Sequence, residues 1–139
     1  MFEISVKSHF SSAHHLKGYR GACRRVHGHN WEVTVFLRGA RTNSIGMLVD
    51  FGKIKAAVRA VLKQLDHRDL NRLPAFKRQN PTSENLAQYV FQTLAKVLRK
   101  EPCAIHRVLV SESPGTSAGY WADGADNGKT DRKHDLIRI

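Results

Sequence analysis

The first forty residues alternate between apolar and polar positions in two segments. Within each segment the apolar residues recur at every second position, which is the period of a half-buried β-strand. The apolar positions of the first segment are Phe2, Ile4, Val6 and Phe10. Those of the second segment are Trp31, Val33, Val35 and Leu37. A polar, glycine-containing loop over residues 17–25 separates them. The pattern therefore predicts two strands joined by a basic loop.

The middle of the chain has helical periodicity instead. Asp50 precedes a run of apolar residues at helical spacing and suits the N-cap of a first helix that Leu65-Asp66-His67 ends. Residues 81–84, Pro-Thr-Ser-Glu, open a second amphipathic helix, which we expect to stop at Pro102. Two amphipathic helices are thus predicted between the strands.

Two further strands are predicted over residues 105–112 and 118–122. The order ββααββ indicates an α+β fold, with two helices on one face of an antiparallel sheet. Since the helices cover one face only, the other face suggests an oligomer. We expect a single domain over residues 1–123 and a polar C-terminal tail over residues 124–139, ordered again at most around Leu136-Ile137.

Length and composition narrow the class of protein. The chain has 139 residues, 41% of them hydrophobic. This fits one domain that can bury a hydrophobic core without disulfide bonds to stabilise it. No apolar run is long enough to span a membrane, and no secretory leader is recognisable. Two cysteines cannot form a disulfide framework. We therefore expect a cytoplasmic protein with free thiols, in which Cys103 serves packing.

The charge balance is strongly basic, with 23 Lys and Arg against 12 Asp and Glu and a formal net charge of +11. Such a surplus suits an anionic partner: nucleic acid, an acidic membrane or a phosphorylated metabolite. Plain solubility explains it equally well. The basic residues are spread along the chain, without an arginine-rich tract or an RNA-binding strand signature. A basic nucleic-acid-binding domain therefore remains only an outside alternative.

Three of the eight histidines share one strand face. His27 and His29 are in phase with Trp31, and His14 is in phase with Phe10 if the first strand extends that far. In an antiparallel hairpin these three imidazoles converge. A lone His-x-His pair is more often a polar strand start, but the third in-phase histidine favours a metal. Three neutral imidazoles bind zinc and leave a fourth position open, as in catalytic sites.

Other candidate residues have side chains that could take part in catalysis, but each of them also has a purely structural explanation. Cys23 stands between glycines and arginines, where positive charge favours a reactive thiolate, although a small loop residue is the simpler reading. Asp66 and His67 could form a general-base pair or merely end a helix.

One carboxylate is predicted to point inward. Glu112 is in phase with Val108 and Val110, so it either reaches water at the strand end or anchors the paired N–H groups of a flat heterocycle. Thr82, Ser83 and Glu84 could be no more than a helix start.

Taken together, these motifs resemble the 6-pyruvoyltetrahydropterin synthase family, including its bacterial 6-carboxytetrahydropterin synthase branch of queuosine synthesis. The resemblance runs from about residue 2 to residue 121. The residues that carry it are Phe10, Ala13, His14, Cys23, His27, Gly28, His29, Asp50, Phe51, Leu65, Asp66, His67, residues 80–85 (Asn-Pro-Thr-Ser-Glu-Asn) and Glu112.

The resemblance implies a tunnelling fold, in which ββααββ units form a homohexamer of two stacked trimeric barrels with sites at the subunit interfaces. It implies 7,8-dihydroneopterin triphosphate as the small-molecule substrate, with neither nucleic acid nor membrane as partner. The implied zinc ligands are His14, His27 and His29. The implied catalytic residues are Cys23, Asp66 and His67. The implied pterin-binding residues are Glu112, with Thr82, Ser83 and Glu84 near it.

Two reactions within the family fit these residues. The first forms 6-carboxy-5,6,7,8-tetrahydropterin and releases acetaldehyde and triphosphate; the alternative forms 6-pyruvoyltetrahydropterin by loss of triphosphate alone. Cys23 argues against the folate branch, which has glutamate at this position. Some residues depart from the family pattern, among them Ser11-Ser12 before Ala13 and the Ser-Glu-Ser-Pro context of Glu112.

Overall fold

The computed structural model describes residues 1–122, so the predicted tail and its ordered end around residues 136–137 lie outside the described part. The strands are β1 (Phe2–His14), β2 (His27–Gly39), β3 (Ala104–Ser113) and β4 (Thr116–Tyr120). The helices are α1 (Phe51–Lys63) and α2 (Ser83–Val97). The strands form one antiparallel sheet in the order β1-β2-β3-β4. The predicted order ββααββ and the α+β class are confirmed.

The β1–β2 hairpin fixes the position of the histidines. Its pairing runs without a register shift from Phe2 opposite Gly39 to His14 opposite His27. Because side chains alternate between the two faces of a strand, an unbroken register keeps every even residue of β1 on the same face. The first strand therefore does extend to His14, as the metal hypothesis required.

Both helices begin where their capping residues predict. The Asp50 carboxylate accepts a hydrogen bond from the Gly52 amide at 2.7 Å, and the Thr82 hydroxyl accepts one from the Asn85 amide at 3.2 Å. The predicted ends are wrong. α1 ends at Lys63, so residues 65–67 lie in the following turn, and α2 ends well before Pro102. Intrinsic propensity marks helix ends weakly, since tertiary packing decides them.

The core lies between the helices and one face of the sheet, with α1 against β1 and α2 against β3 and β4. Trp31 and Phe10 are fully buried there and stack with ring centroids 5.9 Å apart. The segment between the helices also reaches the core through Leu70 and Phe76. These two residues sit in short 3₁₀ turns, which are too brief for a period to be read in the sequence.

The last hairpin differs from the predicted one. β4 starts at Thr116 instead of residue 118 and ends at Tyr120. The reason is a tight turn in which Gly115 has φ of 89°, a conformation that glycine adopts at little cost.

A register shift in the pairing of β2 with β3, opposite Phe36 and Leu37, brings Ile105 and Val108 to the same buried face.

The face of the sheet away from the helices is polar. Lys7 pairs with Glu32 at 3.0 Å and Arg38 with Glu3 at 2.7 Å across the first hairpin.

Within residues 1–122, neither helix has the length and apolar character needed to cross a membrane.

Candidate active site

Three imidazoles meet at the end of the first hairpin. The ring centroids of His14 and His27 lie 4.6 Å apart, those of His14 and His29 5.1 Å, and those of His27 and His29 4.8 Å. One ring nitrogen from each of the three lies within 4.8 Å of the others. In the described part of the chain, no other group of three or more His, Cys, Asp or Glu side chains is gathered in this way. The predicted convergence is confirmed.

The hydrogen bonds of the rings fit a metal. The Nδ1 atom of His14 lies 2.8 Å from the Pro81 carbonyl oxygen, and that of His27 lies 2.7 Å from the Arg25 carbonyl oxygen. A carbonyl can only accept, so each Nδ1 carries the proton and each Nε2 keeps its lone pair. The Nε2 atoms of His14, His27 and His29 are buried without a hydrogen-bond partner. Buried lone pairs without donors are costly, and a cation would satisfy all three.

Burial favours the neutral form of two of these rings. It lowers the pKa of His14, against the opposing effect of the Pro81 carbonyl. Burial also lowers the pKa of His29, against the opposing charge of Glu112. Since only the neutral imidazole binds a metal, both shifts favour metal binding at neutral pH.

A cavity of about 350 Å³ opens beside the histidines, a volume typical of small-molecule sites. Among its lining residues are all four predicted pterin-binding residues together with His14. These are Thr82, Ser83, Glu84 and Glu112. Thr116, Ser117 and Ala118 of β4 complete its wall with Leu16. The start of α2 and the end of β3, far apart in sequence, thus meet at one cavity.

Glu112 lies on the predicted face but is less buried than its phase suggests. Its side chain is 41% exposed, because the strand runs out of the core at this point. Its Oε2 atom is 3.8 Å from Nε2 of His29. The carboxylate therefore faces both the cavity and the histidines, and it can accept two parallel hydrogen bonds from a ligand.

Cys23 lies outside this cavity lining. It is half-buried in a single turn of 3₁₀ helix (Ala22–Arg24) within the basic loop. Its carbonyl oxygen accepts a hydrogen bond from the amide of Leu16 at 2.8 Å, which ties the loop to the cavity wall. Its sulfur does not belong to the metal-binding group. The other thiol, Cys103, is buried, and burial raises its pKa, as suits a packing residue.

Asp66 and His67 form a pair on the outer edge of β1 and do not line the histidine cavity. Asp66 accepts hydrogen bonds from the Ser11 amide at 2.9 Å and from Nδ1 of His67 at 2.8 Å. These two hydrogen bonds lower the pKa of the Asp66 carboxyl below its usual range, and the bond from the Ser11 N–H has the larger effect. The His67 side chain is 82% exposed, and its backbone has φ of 53°, the left-handed region that only a minority of non-glycine residues adopts.

Several contributors to the site were not predicted. The carbonyl groups of Pro81 and Arg25 orient two of the histidines, yet a backbone carbonyl has no sequence signature. Trp31 packs edge-on against His14 and His29, with centroid distances of 4.9 and 5.2 Å. Its phase with His27 and His29 predicted the shared strand face, whereas its contact with His14 across the hairpin was not predicted.

The comparisons agree with this geometry. The family model described as 6-pyruvoyl tetrahydropterin synthase matches residues 3–123. The chain is 32% identical over 127 residues to 6-carboxy-5,6,7,8-tetrahydropterin synthase of Synechocystis, covering 88% of this chain and 95% of that one. It is 32% identical over 114 residues to 6-pyruvoyl tetrahydrobiopterin synthase of Drosophila melanogaster, covering 79% and 67%.

Among solved structures, 6-pyruvoyl tetrahydropterin synthase of Caenorhabditis elegans superposes with a TM-score of 0.79 at 31% identity. The match covers 87% of this chain and 95% of that one. The sheet, the two helices and the tunnelling fold expected from the sequence are therefore confirmed. With the family model spanning nearly all described residues, the chain is an enzyme of the 6-pyruvoyl tetrahydropterin synthase family, similar to the 6-carboxytetrahydropterin synthases.

Proposed function

We propose that the protein converts 7,8-dihydroneopterin triphosphate and water into 6-carboxy-5,6,7,8-tetrahydropterin, acetaldehyde and triphosphate. The observation that carries the proposal is a single cavity that joins His14, in contact with His27 and His29, to Glu112. It thus combines a metal site with a carboxylate able to accept paired N–H groups, as a pterin with a reactive side chain requires. The product suits a cytoplasmic step of queuosine and 7-deazapurine biosynthesis.

The residues of the cavity bind and orient the pterin. Glu112 accepts hydrogen bonds from the ring N–H and the exocyclic amine through its two oxygens. Thr82, Ser83 and Glu84 line the same cavity at the start of α2, where hydroxyl groups and free backbone amides offer further partners. With the ring fixed by Glu112, the side chain of the substrate lies toward the histidines.

The proposed cofactor is one Zn²⁺ per chain, held by the Nε2 atoms of His14, His27 and His29. Held by these three histidines, zinc would supply Lewis-acid chemistry toward an oxygen of the substrate. The carbonyl groups of Pro81 and Arg25 support the assignment, since metal-binding histidines usually donate their other N–H group to such an acceptor.

Two groups move protons in this proposal. The Cys23 sulfur, as thiolate, takes a proton from the substrate side chain. Asp66 holds Nδ1 of His67, which leaves Nε2 of His67 to exchange protons. Because the pair lies on the outer edge of β1, we propose that the Asp66–His67 pair of a neighbouring subunit completes each site in a homohexamer. The 82% exposure of the His67 side chain supports this arrangement, because an exposed ring can reach into a neighbouring chain.

The alternative product is 6-pyruvoyltetrahydropterin, which needs no water and no carbon–carbon cleavage. Relatives named for either product match this chain, so analysis of the products decides between the two reactions.

The test is turnover of dihydroneopterin triphosphate by metal-free protein before and after one equivalent of Zn²⁺ is added. We expect activity only with metal, and its loss in Glu112→Ala protein that still binds zinc. A zinc-loaded protein that consumes no substrate would contradict the proposed function.

A further inference from the structure

A second cavity, of about 300 Å³, lies beside the basic loop. Its lining residues are Lys17, Phe76, Lys77, Arg78, Gln79 and Asn80. Three of the six are cations, and none is acidic. Phe76 is buried beneath them and forms part of the core, so the cations stand on a fixed wall. A concave surface with only positive charge attracts a compact polyanion.

This basic cavity adjoins the histidine cavity through two short chain segments. Leu16 lines the histidine cavity and Lys17 the basic one. Likewise Asn80 lines the basic cavity and Thr82 the histidine cavity, while the carbonyl of Pro81 between them holds His14. The two cavities are therefore bordered by the same two chain segments, residues 16–17 and residues 80–82.

Asn80 ties the two walls together. Its Oδ1 atom accepts a hydrogen bond from the Lys17 amide at 2.9 Å, and its Nδ2 atom donates one to the Lys17 carbonyl at 2.9 Å. Its own carbonyl accepts a hydrogen bond from Nδ2 of Asn85 at 2.8 Å. The backbone carrying Lys17 is thereby fixed against the segment carrying Lys77 and Arg78, which reduces the ordering cost of a ligand that contacts both.

The three cations form no ion pair with any residue of the described range 1–122. Within residues 1–122, no carboxylate lies within 4.0 Å of the charged nitrogens of Lys17, Lys77 or Arg78, whereas Lys7, Arg38, Lys53 and Arg72 each have a partner. Neither catalysis nor metal binding as proposed above needs them. Their charge is therefore available to a ligand.

We infer that this cavity, the basic subsite of Lys17, Lys77, Arg78 and Asn80, holds the polyphosphate arm of the substrate. The inference rests on the proposed function. An arginine offers paired donors to phosphate oxygens and two lysines add point charges, so the chemistry suits a triphosphate better than a neutral side chain. The subsite then orients the leaving group while Glu112 orients the ring.

The test uses full-length, zinc-loaded protein and inorganic tripolyphosphate as the probe, by isothermal titration calorimetry. The variant is Lys77→Ala/Arg78→Ala. The matched control is Lys96→Ala/Lys100→Ala, which removes the same charge from two exposed positions near the other end of α2. We expect the dissociation constant to rise at least tenfold in the variant and less than twofold in the control. Binding of sepiapterin, which has no phosphate, should stay unchanged in both.

Equal tripolyphosphate affinities in variant and control would overturn the basic subsite, because the attraction would then come from the net charge alone. Steady-state kinetics separate this result from the fate of the proposed function. Turnover of dihydroneopterin triphosphate with an unchanged KM in the variant removes the subsite and leaves the function. Selective loss of tripolyphosphate binding by a protein that turns over no pterin supports the subsite and refutes the function.

Discussion

Replacing His14 and His27 one at a time should separate metal binding from folding. Both side chains are proposed zinc ligands, but their surroundings differ. His14 is 1% exposed, packs edge-on against Trp31 and is the hydrogen-bond partner of the buried Pro81 carbonyl. His27 is partly exposed, and its partner carbonyl lies in an exposed loop.

The expected costs follow from these contacts. In metal-free protein, His14→Ala leaves a small cavity and an unsatisfied buried carbonyl, which together should lower the free energy of unfolding by about 2–4 kcal/mol. His27→Ala should cost about 1 kcal/mol or less, since water can replace the ring. With zinc at a thousandfold over its dissociation constant, the parent should gain about 4 kcal/mol, and both variants should lose most of this gain.

The assay is urea unfolding with and without a chelator, combined with zinc analysis by plasma mass spectrometry. His9→Ala is the matched control, because His9 is exposed on the opposite face of β1 and should affect neither quantity. Full zinc occupancy in His27→Ala would refute the ligand assignment. Equal stability of the two metal-free variants would refute the role given to the Pro81 contact.

Four further predictions concern the same site. Cys23→Ala should keep zinc and fold but lose about 10²–10⁴ in turnover, measured as kcat; a loss of only a few fold would make the thiol a bystander. Glu112→Gln should weaken sepiapterin binding at least tenfold, about 1.4 kcal/mol, with zinc retained; equal affinities in titrations would leave Glu112 to water. In His67→Asn, the free energy of unfolding should stay within about 0.5 kcal/mol of the parent value, because asparagine tolerates the left-handed backbone, but turnover should be lost. A fully active variant would exclude His67 from proton transfer. Burial lowers the pKa of His14 and His29 in the folded protein. The free energy of unfolding of the metal-free protein should therefore be highest above the unfolded-state pKa of about 6.5, and the contribution of these two histidines should be lost as the pH falls through their folded-state pKa values. Unchanged urea midpoints between pH 7.5 and 5 would contradict this prediction.

The histidine site could be predicted because strand periodicity is exact over an uninterrupted hairpin. One extra residue in β1 or β2 would have turned His14 away from His27, and the register has no such bulge. The same reasoning placed Glu112 on the correct face but overstated its burial, since phase gives direction and not depth.

Other features depend on tertiary contacts that no local pattern records. Asp66 and His67 lie beyond the end of α1 and bind Ser11, a strand residue far earlier in the chain. Lys17 and Arg78 line one cavity although some sixty positions separate them. From the sequence, only the excess of basic residues could be recognised. The packing of the loop against residues 76–80 decides which of these cations lie close together.

The measurement that tests the central claim most directly is the product balance from dihydroneopterin triphosphate with the zinc-loaded protein. Acetaldehyde can be quantified by coupled alcohol dehydrogenase, and the pterin and triphosphate by chromatography. The account predicts one acetaldehyde, one triphosphate and one 6-carboxytetrahydropterin for each substrate consumed. Triphosphate released without acetaldehyde would contradict it and assign the chain to pyruvoyltetrahydropterin formation.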